Sequence, residues 1–165
     1  MPTAAPNWVR MKDTIDIQPH HHILEIGCGV GLAVEQIVPL LKTGTITAID
    51  RSKPMIEKAK KRNAEKAEFL TQDLLQLSTG IYDIIFCFNI NFFWTKNNIT
   101  KEMAVIEKHL AKKGLLYILY GPLFGAGFEK MNKPVHSNLT AENFSVKEVI
   151  HNKPLQCCCF VASAD

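Results

Sequence analysis

From Ile23 to Tyr120, short runs of consecutive apolar residues alternate with stretches in which apolar positions recur every three or four residues. That switch between period 2 and period 3.6 predicts strands alternating with helices. Ile23 to Ile26 forms the first strand, and Val34, Ile37, Val38 and Leu41 then mark one helical face, with Pro39 placed to kink or shorten its last turn. Gly44 releases the chain into a second strand, Thr45 to Asp50. Ser52 is placed to cap the next helix, with Pro54 in its first turn and Met55, Ile56 and Ala59 facing inward. Glu68-Phe69-Leu70 is a short third strand. Tyr82 to Phe88 is apolar on both faces, the mark of a central strand. Thr100 is placed to cap a helix carrying Met103, Ile106 and Leu110, which Lys112-Lys113-Gly114 should end through charge and a glycine cap. Leu115 to Tyr120 is the fifth strand.

Beyond it, Gly121 to Asn143 is rich in Gly, Pro, Asn and His, predicting a long loop with at most a short helix. Two further apolar runs, Phe144 to Ile150 and Gln156 to Ala162, are joined through His151-Asn152-Lys153-Pro154, a connection short enough for antiparallel pairing. The expected architecture is α/β, a doubly wound, mostly parallel sheet with helices on both faces. At 165 residues the chain fits one domain spanning 1–165, with residues 1–20 as a helical cap.

The chemistry starts at the first strand–helix turn, Glu25-Ile26-Gly27-Cys28-Gly29-Val30-Gly31. Glycine at every second position lets the backbone curl tightly and approach a ligand closely. Asp50 ends the next strand about 20 residues on, the spacing that sets an acceptor beside a ribose hydroxyl in dinucleotide-binding folds. The dinucleotide pattern itself needs glycine at Leu32, whose side chain is too large for close helix–strand packing.

The acidic residue two positions before G-x-G-x-G resembles the first motif of the class I S-adenosylmethionine-dependent methyltransferases. The resemblance runs roughly from His22 to Ala162. It implies a seven-stranded sheet in the order 3-2-1-4-5-7-6 with an antiparallel last hairpin, and S-adenosyl-L-methionine as cofactor. It also implies that Gly27, Cys28, Gly29 and Gly31 wrap the cofactor's aminocarboxypropyl end, that Glu25 orients this loop or reaches the cofactor's ammonium, and that Asp50, beside Arg51, takes the ribose. Asp73 would accept from the adenine amino group while Leu74 lines the ring. Asn89 would face the methyl-donor end, although Asn89-Ile90-Asn91-Phe92 lacks the two prolines that some amino-methylating members carry there.

Phe92, Phe93 and Trp94 are placed to wall an acceptor pocket near the sulfonium, closed by Trp8 and Met11 from the N-terminal helix. Asn89 and His136 are the candidate catalytic residues, His136 as a general base by location alone. His20-His21-His22 has no second ligand group at metal spacing, so no metal site is expected. Cys157, Cys158 and Cys159 alternate across a strand and suit a core.

The expected activity is methyl transfer to a small-molecule acceptor by in-line displacement. The alternatives are a non-catalytic cofactor- or partner-binding module, an RNA methyltransferase and an NAD-dependent oxidoreductase. A net charge of +3 is small for nucleic acid, and the run Lys53, Lys58, Lys60, Lys61 and Arg62 suits a solvated helix face without interleaved aromatics. No apolar run reaches the roughly 20 residues of a membrane span. Five cysteines, three adjacent, fit a reducing cytoplasm better than a disulfide framework.

Overall fold

The computed structural model describes residues 12–64, 66–121, 129–152 and 157–165. Seven strands form one sheet: β1 (His22–Ile26), β2 (Thr45–Asp50), β3 (Glu68–Thr71), β4 (Tyr82–Phe88), β5 (Leu110–Tyr120), β6 (Phe144–Asn152) and β7 (Cys157–Ala164). Their order is β3-β2-β1-β4-β5-β7-β6, the order the resemblance implies. The first five strands run parallel, while β7 pairs antiparallel with both β5 and β6. The helices are α1 (Leu32–Ile37), α2 (Lys53–Asn63), α3 (Phe92–Thr95), α4 (Thr100–His109) and α5 (Glu129–Ala141).

Alternation along the strands divides the core into two apolar layers, one on each face of the sheet. Leu24, Ile26, Ile85, Cys87, Ile118 and Cys158 belong to the layer that receives α4 and α5 through Met103, Ile106, Val135 and Leu139. Ile23, Phe86, Leu119, Cys157 and Cys159 belong to the other, filled by Val34 and Ile37 of α1 and Ile56 and Ala59 of α2. The cysteine run thus packs alternately into both layers.

Pro39 ends α1 after six residues and passes the chain into a 3-10 turn, Val38–Leu40. Ser52 precedes α2 with extended backbone but makes no side-chain cap, and Thr100 is the first residue of α4, after Ile99, rather than its cap. Two readings need correction. The fourth helix stops at His109, because residues from Leu110 onward already pair with β4. Tyr82 faces Leu110 and Ile84 faces Leu115, so the intervening residues form an irregularity and Gly114 lies within β5. The segment expected to be a loop contains the 13-residue α5, with Pro134 inside it. Met131, Val135 and Leu139, spaced by four, pack this helix onto the core and outweigh the cost of the proline.

Of the expected N-terminal cap, only a 3-10 turn at Lys12–Thr14 and the segment after it are described, and Trp8 and Met11 lie outside the described residues. Among the described residues no helix is long and apolar enough to cross a membrane.

Candidate functional site

The direction of chain crossover reverses beside β1, whose neighbours are β2 on one side and β4 on the other, so a crevice opens at the C-terminal ends of these strands. The glycine turn sits there. Gly27 N–H and Cys28 N–H both donate to the Ile49 carbonyl, at 2.8 and 3.0 Å, and Gly31 N–H closes the turn on the Cys28 carbonyl at 3.0 Å. All three glycines have positive φ, which any other residue adopts only at a cost. Packing separates them. A Cβ on Gly27 would lie 2.3 Å from Ile90 Cδ1, and one on Gly31 would lie 2.6 Å from Asn63 Nδ2, whereas nothing stands within 4 Å of one on Gly29. Gly29 therefore presents its backbone to open space.

Asp50 organises this turn. Its Oδ2 accepts from Gly29 N–H at 2.9 Å and its Oδ1 accepts from Ser52 N–H at 2.8 Å. From the other side, Asn63 Nδ2 donates to the Gly31 carbonyl at 3.0 Å and Arg62 Nε donates to the Val30 carbonyl at 3.2 Å. Arg62 also pairs with Glu35 at 3.2 Å. The basic run on α2 is thus not wholly a solvated face, since its last member, Arg62, holds the glycine turn.

Two cavities meet at Gly27, one on each face of the sheet edge. The larger, about 540 Å³, brings together Asp50, Arg51, Asp73, Leu74, Asn89 and Phe92. Asp73 begins a 3-10 turn whose capping box satisfies it twice, through Leu75 N–H to Oδ1 at 3.0 Å and its own N–H to Gln76 Oε1 at 2.7 Å. Leu74 is buried beside it. Asn89 adopts a left-handed φ of 56° just past β4, and its Oδ1 accepts from Gly121 N–H at 3.0 Å, tying the ends of β4 and β5 together. Buried Glu102 of α4, paired with Lys96, closes the far end.

The smaller cavity, about 260 Å³, has walls from Phe86, Phe88, Leu119, Val30 and Ile15, with Glu25 and Cys28 among its lining. Glu25 is 4% exposed, and its Oε2 has no hydrogen-bond partner among the described residues. Burial, and secondarily the charge of Asp50, pushes its carboxyl up to about 8. The Cys28 thiol is also pushed up, mainly by burial, so it is not a ready nucleophile.

The match to known proteins decides what this site belongs to. Residues 23–114, more than half of the chain, match the profile described as a methyltransferase domain. The chain belongs to this methyltransferase family. Over 113 residues it is 34% identical to a malonyl-[acyl-carrier protein] O-methyltransferase of Bacillus cytotoxicus, a match covering 67% of this chain and 38% of that one. It is 25% identical over 108 residues to a trans-aconitate 2-methyltransferase of Deinococcus radiodurans, covering 66% of this chain and 41% of that one. The chain spans well under half the length of these curated relatives. The fold matches a TehB-like SAM-dependent methyltransferase of Corynebacterium glutamicum at a TM-score of 0.74 and 17% identity, covering 99% and 90% of the two chains. It also matches a SAM-dependent methyltransferase of Aquifex aeolicus at 0.77 and 16% identity, covering 94% and 88%.

The methyltransferase domain does not assemble all the expected residues in one place. Phe93 is fully buried in the core, so it walls no pocket, and Trp94 packs on Tyr120 with ring centroids 5.5 Å apart. Only Phe92 of the three aromatics lines a cavity described above, and it is the polar one. Phe92 and Phe93 stay stacked, with ring centroids 4.3 Å apart, while Trp94 turns to Tyr120. His136 is exposed on α5 next to inward-facing Val135 and lines neither cavity. His22 Nδ1 bonds Thr45 Oγ1 at 2.9 Å, while His20 and His21 contact each other edge-on.

The reading of the sequence missed Phe86, Phe88 and Leu119 as cavity walls and Asn63 and Arg62 as supports of the glycine turn. Alternation along β4 carries a signal for Phe86 and Phe88, which share a face. No local pattern marks Asn63.

Proposed function

We propose that this methyltransferase domain transfers a methyl group from S-adenosyl-L-methionine to a small-molecule acceptor. The observation that carries the reading is the convergence of Gly27, Asp50, Asp73, Leu74 and Asn89 on one cavity at the C-terminal ends of adjacent parallel strands.

The residues fit the nucleoside and amino-acid ends of that molecule. Each Asp50 oxygen accepts one backbone N–H and keeps a further lone pair, so the carboxylate can hold the turn and accept from ribose hydroxyls together. Asp73 is oriented by its capping box to accept from the adenine amino group, over an apolar floor at Leu74. Gly29 has open space where any side chain would intrude, so the donor's chain can pass close to its backbone. Asn89, fixed on Gly121, stands at the edge shared with β4.

When bound, the donor supplies a methyl group on a positively charged sulfur, already activated for displacement. An acceptor lone pair would take that carbon while the carbon–sulfur pair stays on sulfur, and a proton displaced from an O–H or N–H acceptor would leave to solvent. What the protein adds is position and exclusion of water, and orientation alone can supply roughly 7–11 kcal/mol of such a barrier. The buried cysteines suit a reducing cytoplasm.

Calorimetry with S-adenosylmethionine, S-adenosylhomocysteine and NAD tests the reading. Binding of the first two and not of NAD is expected. Absence of binding to wild type, or preference for NAD, overturns it.

A further inference from the structure

One wall of the proposed donor cleft carries Phe92 and Lys96, the first residue of α3 and the residue that follows its last. A helix of four residues does not hold itself, and the last carbonyls of any helix lack partners within it. Apolar contacts anchor its inner side, since Phe93 is fully buried and Trp94 packs on Tyr120. They leave the carbonyls at its exit, those of Phe93 and Lys96, to be satisfied from elsewhere.

Asn138 of α5 meets both. Its Nδ2 donates to the Phe93 carbonyl at 2.9 Å and to the Lys96 carbonyl at 3.0 Å, one hydrogen of the amide for each. Val135 and Leu139, buried on either side of it in sequence, seat α5 on the core and so bring the amide to α3. A second link runs from the same helix end: Glu142 Oε1 accepts from Thr100 Oγ1 at 2.8 Å, where α4 begins. Lys96 in turn pairs with Glu102 of α4, so both charges at the far end of the cleft sit on segments tied to α5. Glu102 is 7% exposed, and a carboxylate so buried depends on its cation staying within reach. Asn138 itself lines neither cavity. We propose that Asn138 is a positioning residue of the donor site, whose amide fixes the exit of α3 and thereby the places of Phe92 and Lys96 in the cleft. The assignment rests on the donor reading above.

The test measures the affinity of the full chain for S-adenosylhomocysteine by calorimetry, well below each variant's melting temperature. Asn138→Ala should weaken it about three- to tenfold, the effect of one or two neutral hydrogen bonds. Asn138→Asp keeps the shape but sets carboxylate oxygens against two carbonyls, so it should weaken binding further. A role confined to packing would leave Asn138→Asp near wild type. Val135→Ala, a core truncation in the same helix, should lower the melting temperature while the affinity of the folded protein stays unchanged. Trp94 emission, recorded with Trp8→Phe to leave one indole, should move to longer wavelength in Asn138→Ala as α3 loosens from Tyr120. Asn138 is only half-buried, so Asn138→Ala decides should Asn138→Asp fail to fold. Wild-type protein that ignores S-adenosylhomocysteine overturns the donor reading and this inference with it. Wild type that binds it while Asn138→Ala binds equally well, or while Val135→Ala loses as much, overturns the inference alone.

Discussion

Asp50 Oδ2 accepts the backbone N–H of Gly29 at 2.9 Å, so the residue that ends β2 sets the shape of the turn that follows β1. Replacing Asp50 should therefore damage donor binding twice, by removing the ribose acceptor and by loosening the turn. Hydrogen bonds to a charged group contribute about 1.5–3 kcal/mol, which predicts a roughly 10- to 100-fold weaker dissociation constant for S-adenosylhomocysteine in Asp50→Ala. Asp50→Asn, with one acceptor oxygen instead of two, should fall between. Equal affinity in wild type and Asp50→Ala would remove the carboxylate from the site.

Gly29 and Gly31 both have positive φ and opposite surroundings. In Gly31→Ala the new methyl meets Asn63 and the Ala59 backbone in addition to left-handed strain, and a loss of about 2–4 kcal/mol is expected in chemical denaturation. Gly29→Ala has strain alone, about 1 kcal/mol, but places its methyl where the donor passes. The first variant should fail in stability and the second in affinity. The reverse pattern would show that the open side of Gly29 is not the ligand's side.

Glu25 gives the fold a pH dependence of definite sign. Its carboxyl loses a proton near 4.5 when unfolded and near 8 when folded, so the folded state binds the extra proton between those values. Stability falls as pH rises through that window and levels off above it. Glu25→Gln removes the titration, and its denaturation midpoint relative to wild type should climb from pH 5 to pH 8. A difference that stays flat with pH would mean that Glu25 is ionised throughout.

Asn89 combines a left-handed backbone with a side-chain acceptor for Gly121 N–H. Asn89→Gly keeps the conformation and loses the bond, whereas Asn89→Ala loses the bond and adds strain. Thermal denaturation should rank wild type above Asn89→Gly and Asn89→Gly above Asn89→Ala, the two variants separated by about 1 kcal/mol. An alanine variant at least as stable as the glycine variant would argue against strain at this position.

Where one physical signal dominated, the fold was legible from the residues. β2 and β4 have their expected ends because Gly44 and Asp50, and the doubly apolar run from Tyr82, leave little choice. The helix α5 was hidden because its Pro, Asn and Ser content argues for a loop, while Val135 and Leu139 decide otherwise only once a core exists to receive them. The end of α4 was misplaced for a related reason: Lys112-Lys113-Gly114 has cap chemistry, yet pairing with β4 claims the chain from Leu110. Within the site, Gly27, Asp50, Asp73 and Asn89 line the larger cavity, whereas Gly29 lines the smaller one and Gly31 lines neither. Phe93 departs from its expected place because sequence proximity does not say which of three adjacent aromatics turns inward.

All five cysteines are buried, spread from the glycine turn through β4 to the run in β7. Burial pushes up the thiols of Cys28, Cys87, Cys158 and Cys159, the last to about 12, so alkylating reagents meet little thiolate until the chain opens. The protein thus carries its own clock for opening. Mass spectrometry during slow alkylation would read each region's opening separately, without any introduced label.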